Sequence, residues 1–360
     1  MLNATNLHVA AFVAASLLML GAISQRTTVP AEALPAIQTT QAAEVQRCAE
    51  CHAEICDSYL ATPHLRTLRK PTDEEVFRHF AGQDVTSRGN AFAFATRDDG
   101  YALTAADRSD EKKVDWMFGS GEHAMTGVSL EVSPCGITEI QQLNVSWFPH
   151  CNLEATPGSD HAPGKPSLGV HLNPADSLKC FECHSSQMAI DDGAIDFASL
   201  VPGISCNRCH LDAQQHAASG GSLPSGVAWD KLSALESIQR CGECHRRADE
   251  FTDDELTPDN KLLIRFAPVG LSQSPCFKAQ LDDPDARRLD CVTCHDPHSP
   301  AQTDTAFYTA KCNDCHGASS GGVPCPDSPR SDNCMPCHMP VVQHEQLRVT
   351  DHWIRIRDDI

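Results

Sequence analysis

Aromatic side chains are scarce in this chain: Phe, Trp and Tyr make up 6% of 360 residues. A conventional core of this length leans on such bulky groups, so the amino acids alone supply a thin one. Long apolar runs are missing too. Beyond Val9–Ile23 no stretch is long enough to span a bilayer, which leaves at most one N-terminal anchor. Basic residues are few, 28 Lys and Arg against 48 Asp and Glu, for a formal charge of −20. That balance argues against nucleic acid or an anionic membrane as partner. There is no hydrolase triad, no phosphate loop and no nucleotide fingerprint. No constant period runs through the chain, so it is not a solenoid.

Cysteine and histidine are abundant instead, at 19 and 18 residues. Fourteen of the cysteines fall into seven Cys-x-x-Cys-His runs. In chain order these are Cys48, Cys51 and His52; Cys180, Cys183 and His184; Cys206, Cys209 and His210; Cys241, Cys244 and His245; Cys291, Cys294 and His295; Cys312, Cys315 and His316; Cys334, Cys337 and His338. Random placement would give roughly 0.05 such runs. In an exported protein this is the attachment signature of c-type haem. The two thiols add across the haem vinyl groups as thioethers, and the histidine becomes the proximal iron ligand. Zinc knuckles also use Cys-x-x-Cys pairs but need no histidine directly after the second cysteine. Redox dithiols would sit in a repeating strand–helix pattern, which is absent. The expected cofactor is therefore seven covalently bound haem c, and seven porphyrins would supply the apolar volume that the amino acids lack. The chain is expected to stay largely unfolded without them.

The N-terminus reads as an export signal. Val9–Ile23 is a 15-residue apolar run followed by a small-residue site at Ala22-Ile23-Ser24. No Lys or Arg precedes it, so residues 1–24 are either a cleaved signal peptide or an uncleaved anchor. Haem attachment to this run takes place outside the cytoplasm, so the expected location is the periplasm or cell surface. Residues 25–43 read as a linker, and 44–360 as the haem-bearing domain. The first run should lead into a helix through Ile55 and Tyr59. A haem-free section, about 71–177, changes to strand texture. Ala91–Thr96, Asp98-Asp99-Gly100 and Tyr101–Thr104 read as a hairpin, and Ile137–Phe148 as a strand. In the dense section, 178–340, the first cysteines lie 26, 35, 50, 21 and 22 residues apart. That leaves room for a short helix and a loop each, with helices often beginning at the runs. The fold class expected is mainly α and loop-rich, with a small β-containing segment at about 86–148.

A low-spin haem needs a second axial ligand, most often His or Met. The stronger candidates are His64, His123, His216, His298 and His352; the weaker ones are His150, His161, His171 and His344. For each, the plain alternative is a surface or hydrogen-bonded histidine. His8 and His79 stay unassigned, and Met339 reads as packing. Cys56, Cys135, Cys151, Cys276 and Cys325 lie outside the runs. In an oxidising compartment they can pair, with Cys135–Cys151 the first expectation.

Several further stretches carry a family resemblance over roughly residues 45–357. They are Gly119-Ser120-Gly121-Glu122-His123, Val145–Phe148 with Thr156-Pro157-Gly158, Gly203–His210 with His216, Cys291–His298, and Cys334–Pro340 with Asp351-His352-Trp353-Ile354. In these the chain resembles multihaem cytochromes c of the cytochrome c-554 and hydroxylamine oxidoreductase superfamily. The resemblance implies a mainly helical fold, haems in stacked and perpendicular pairs, mostly bis-histidine ligation, and electron transfer. It also implies that some relatives act on nitrogen or sulfur oxyanions. Two departures stand out: Leu211-Asp212-Ala213 replaces the family's Gly-Pro-Gly, and Gly321–Cys325 carries no histidine. The function expected is electron carriage between redox partner proteins, with basic patches answering the acidic surface. The rival is an oxidoreductase of a small nitrogen or sulfur species at one five-coordinate haem. The chain has no Cys-x-x-Cys-Lys run, which some multihaem reductases use. A redox sensor would need an attached signalling segment, and none is present.

Overall fold

The computed structural model describes residues 39–105, 110–132, 138–159, 167–283, 286–317 and 333–357. All of them fall within one unit, Pro35–Ile360. Helix α1 (Thr39–Tyr59) carries the first run and begins before the end of the stretch read as a linker. A 3₁₀ turn, Pro63–Arg66, follows it.

The haem-free section is built from two antiparallel sheets. The first joins β2 (Asp84–Ser87), β3 (Asn90–Arg97), β4 (Gly100–Ala105) and β5 (Glu111–Lys113) in that order. Arg97 pairs with Gly100, so Asp98-Asp99 is the two-residue turn read from the sequence. The second sheet has the order β1 (Leu68–Arg69), β6 (Trp116–Phe118), β7 (Met125–Val132), β8 (Thr138–Phe148), β10 (Gly169–His171), with β9 (Asn152–Ala155) also on β8. Strand texture is thus wider than the 86–148 expected, because β1 and β10 are two- and three-residue edges with too little alternation to register in sequence.

Side-chain alternation gives the second sheet two apolar faces. Met117, Met125, Leu143 and Val145 meet Phe92, Phe94, Tyr101 and Leu103 of the first sheet, along with Val76 and Phe80 of helix α2 (Glu74–Phe80). Leu68, Trp116, Val128 and Ile140 point the other way, onto Phe181 and Leu200. Phe181 belongs to helix α3 (Pro174–His184), which carries the second run. The second run is therefore seated on the sheet. A hairpin follows, β11 (Ser185–Asp191) and β12 (Ala194–Pro202).

The rest is helical and loop-rich: α4 (Cys206–Cys209), α5 (Ala213–Ala218), α6 (Ala234–His245), α7 (Ala267–Gln273), α8 (Pro275–Leu281), α9 (Cys291–Cys294), α10 (Thr305–His316) and α11 (Met335–His338). A last hairpin pairs β12's successors β13 (Val341–His344) and β14 (Leu347–Thr350). Apolar clusters here are small, the main one being Ala234, Ile238, Leu271 and Phe277. Among the described residues no helix is long and apolar enough to cross a membrane.

Candidate functional site

Helices meet the runs in more than one way: the short α4, α9 and α11 begin at their run, as expected, and others do not. Helices α3, α6 and α10 end at their run rather than beginning there. Each is started by a side-chain cap: Asn173, Ser233 with Glu236 in a capping box, and Asp304. The third and fifth runs are single turns. Asp290 caps its own, accepting from the Thr293 amide at 3.0 Å. The third is capped from far away: Glu44 accepts from the Ser205 hydroxyl at 2.7 Å and the Asn207 amide at 3.1 Å. The histidine leaves helical geometry in several runs, at φ −120° for His52, −103° for His210 and −120° for His295.

Four of these imidazoles face a second histidine from elsewhere in the chain. His52 faces His216 with ring centroids 6.2 Å apart, His245 faces His64 at 6.2 Å, His210 faces His298 at 6.1 Å, and His295 faces His352 at 6.2 Å. A metal–imidazole bond of about 2 Å, added to roughly 1.1 Å from nitrogen to ring centre, puts two trans imidazole centroids about 6.2 Å apart. The spacing fits one iron between each pair. The interplanar angles, 25°, 81°, 14° and 40°, are twists that a common axis allows. Direct stacking would bring the rings much closer.

Hydrogen bonds hold Nδ1 of several imidazoles, which leaves Nε2 for a metal. The partners are backbone carbonyls in four cases: Leu223 for His216 at 2.6 Å, Thr350 for His352 at 2.9 Å, Thr67 for His184 at 2.8 Å, and Arg355 for His338 at 3.0 Å. For His298 it is a carboxylate, Asp296 Oδ1 at 3.2 Å. Carbonyl partners have no side-chain signature, so no sequence reading finds them. Desolvation also keeps imidazoles neutral, as metal binding requires. It pushes His64 down to about 4 and lowers His184, His210, His245, His295 and His352.

His64 is held through its neighbours. Its carbonyl accepts from the Ile204 amide at 2.9 Å, and the Tyr59 hydroxyl donates to the Ile204 carbonyl at 2.9 Å. His352 depends on a close approach. The Ser274 hydroxyl oxygen accepts from the Ile354 amide at 2.8 Å. A Cβ on Gly270 would lie 2.8 Å from Trp353 N and 2.9 Å from the His352 carbonyl carbon. Asp351 turns the same segment, accepting from the Trp353 amide at 2.9 Å and pairing with Arg355 and Arg357.

The other candidates are not brought opposite a run. His123 lies exposed just past the Gly119–Gly121 turn, where Gly119 takes φ +98° and a Cβ would collide with the Ala124 carbonyl. That turn is fixed instead by Arg69, which donates to the carbonyls of Gly119 and Ser120 at 3.4 and 3.2 Å. His171 is tied to Gln141 Nε2 at 3.1 Å and to Glu139. His150 sits in the turn after β8, and His344 pairs with Leu347 in the last hairpin. His161 lies outside the described residues. Among the described residues no second imidazole stands at iron-spanning distance from His184, His316 or His338. His184 instead meets the edge of Phe118 at 4.9 Å.

The described cysteines all stand as free thiols. Cys151 is among them, on the exposed turn after β8; the Cys135–Cys151 bridge expected from sequence involves a residue outside the described ones. Cys135 and Cys325 lie outside the described residues. Cys56 is buried against Cys48, and Cys276 is near Cys294, Cys312 and Cys315. Between runs, Cys48 interacts with Cys206, Cys183 with Cys244, Cys241 with Cys291, and Cys312 with Cys334. Among the described residues no three or more His, Cys, Asp or Glu side chains converge as a metal cluster, whereas a zinc knuckle assembles four.

Comparison with known proteins gives partial matches. The family model for cytochrome c554 and c-prime matches residues 158–211, which contain the second and third runs. The dissimilatory sulfite reductase MccA of Wolinella succinogenes is 21% identical over 372 residues, covering 82% of this chain and 50% of that protein. An undecaheme cytochrome from the S-layer of Carboxydothermus ferrireducens aligns with a TM-score of 0.44 and 14% identity, over 87% of this chain and 52% of that one. The chain thus spans about half the length of both. The attachment runs, the facing imidazoles and the match of residues 158–211 to the family model together support a multihaem cytochrome c.

Proposed function

We propose that the chain is a heptahaem c-type cytochrome of the periplasm or cell surface that carries electrons between redox partners. Haem c would supply one-electron chemistry at each run. Fourteen thiols would fix the rings, and His52, His184, His210, His245, His295, His316 and His338 would bind on the proximal side. His216, His298, His64 and His352 would close the first, third, fourth and fifth sites. The observation that carries the reading is the four facing imidazole pairs at 6.1–6.2 Å. A site closed on both sides keeps the same ligands in both oxidation states and suits a carrier.

Contacts between the run-bearing helices, with thiols close to one another, support an order in which the runs adjoin. The first adjoins the third, and the third adjoins the fourth through Cys209, which senses Cys241 and Cys244. The fourth adjoins the fifth, and the fifth, sixth and seventh follow. The second run joins as a branch on the fourth through Cys183 and Cys244. A trunk with one branch is a wire with a side station.

That station favours a second reading, an oxidoreductase of a small nitrogen or sulfur species. The second run sits on the sheet, and its His184 has no imidazole opposite among the described residues. Low-temperature EPR of the oxidised holoprotein, with haem quantified, separates the two. Seven haems, all low-spin, support the carrier. A high-spin haem whose signal changes with nitrite, sulfite, hydroxylamine or nitric oxide, and survives His316→Ala and His338→Ala, supports the enzyme at the second run. Fewer than seven haems overturns the count.

A further inference from the structure

We propose that Asp296 is a positioning residue that lowers the reduction potential of the iron between His210 and His298. This rests on the ligand pairs proposed above and assigns a property to one of them.

The sequence His295-Asp296-Pro297-His298 folds into a tight turn just past the fifth run. Pro297 fixes one backbone angle. Asp296 Oδ1 accepts from the His298 amide at 3.0 Å and from His298 Nδ1 at 3.2 Å, and its other oxygen accepts from the Ser299 hydroxyl at 3.3 Å. One carboxylate thus sets both the backbone and the ring of His298. The His298 ring in turn lies 6.1 Å from His210, the most nearly parallel of the four pairs at 14°.

The contrast among distal imidazoles carries the inference. His216 and His352 give their Nδ1 proton to neutral carbonyls, Leu223 and Thr350. His298 gives it to a carboxylate. An anionic acceptor draws the proton, raises the basicity of the other ring nitrogen and stabilises the oxidised metal. Asp296 is 62% exposed, so water screens part of its charge and the shift is moderate. The turn also links two sites, since His295 would bind at the fifth run while His298, three positions on, would close the third.

The test is a spectroelectrochemical titration of holoprotein carrying Asp296→Asn, with EPR alongside. Asn keeps an acceptor for the His298 amide and removes the charge. The expected result is an upward shift of one potential, an unchanged low-spin count, and return of the wild-type value in Asp296→Glu. Asp296→Ser, a second uncharged acceptor, gives the same reading should the Asn variant lose haem. Potentials that all stay at wild-type values in these uncharged variants overturn the proposal. His298→Ala separates the two levels. If it converts one haem to high spin while Asp296→Asn shifts nothing, the ligand stands and the role of Asp296 falls. If it leaves the spin states unchanged, both fall.

Discussion

Replacing His64 by Ala removes the imidazole that faces His245 at 6.2 Å. One haem of the holoprotein should then pass from low to high spin, read by EPR and by the loss of one low-spin signal. Replacing His123 by Ala should leave every signal in place, because its ring meets no run. A high-spin haem in the His123 variant would show that the described pairing misses a ligand. The two histidines looked alike in sequence. Each stands in a recognisable setting, His64 after Thr62-Pro63 and His123 after Gly-Ser-Gly. What separates them is tertiary: backbone and Tyr59 contacts with Ile204 anchor His64 so that its ring faces His245 of the fourth run, while Arg69 donates to the carbonyls of the Gly119–Gly121 turn.

Helix α7 makes its contribution through a missing side chain. Gly270 lets the backbone carrying His352 come within van der Waals contact, and Cβ has no room. Gly270→Ala should force the C-terminal segment outward and cost about 1–3 kcal/mol of stability. The fifth site should lose low-spin character, while the pair His52–His216 keeps its own. Thermal unfolding followed by haem absorbance, with EPR on the same sample, measures both. Equal stability and unchanged spectra would mean that the segment moves aside at no cost. At this scale the hairpin at Asp98-Asp99 and the strand ending at Phe148 were readable from period-two alternation. The helices that end at runs were not. The sequence marks where a run lies, but the direction in which its helix extends depends on caps such as Asn173, Ser233 and Asp304.

Two kinds of core divide the whole molecule. The two sheets and α2 bury Val76, Phe80, Phe94, Tyr101, Met125 and Leu143 with no residue of any run among them. The helical part has only small clusters. Chain produced without haem attachment should therefore keep a β-type circular dichroism signal and lose most of its helical one. A fully unstructured spectrum would show that the sheets also depend on the cofactor. The charge of −20 sets the second prediction: electron exchange with a basic partner should slow as ionic strength rises. An exchange rate independent of salt would remove the basic partner.

The seven Cys-x-x-Cys-His runs were legible in the linear chain because attachment chemistry is local: two thiols and an imidazole within five residues fix the cofactor type. The acidic balance, the thin aromatic content and the strand texture of the haem-free section were legible for the same reason. Which imidazole faces which was decided only by the fold. His52 and His216, or His210 and His298, are brought together from distant parts of the chain, and no local spacing encodes that distance. The carbonyl clamps of Thr67, Leu223, Thr350 and Arg355 were invisible as well, since every residue has a carbonyl and only packing decides which one points at a ring.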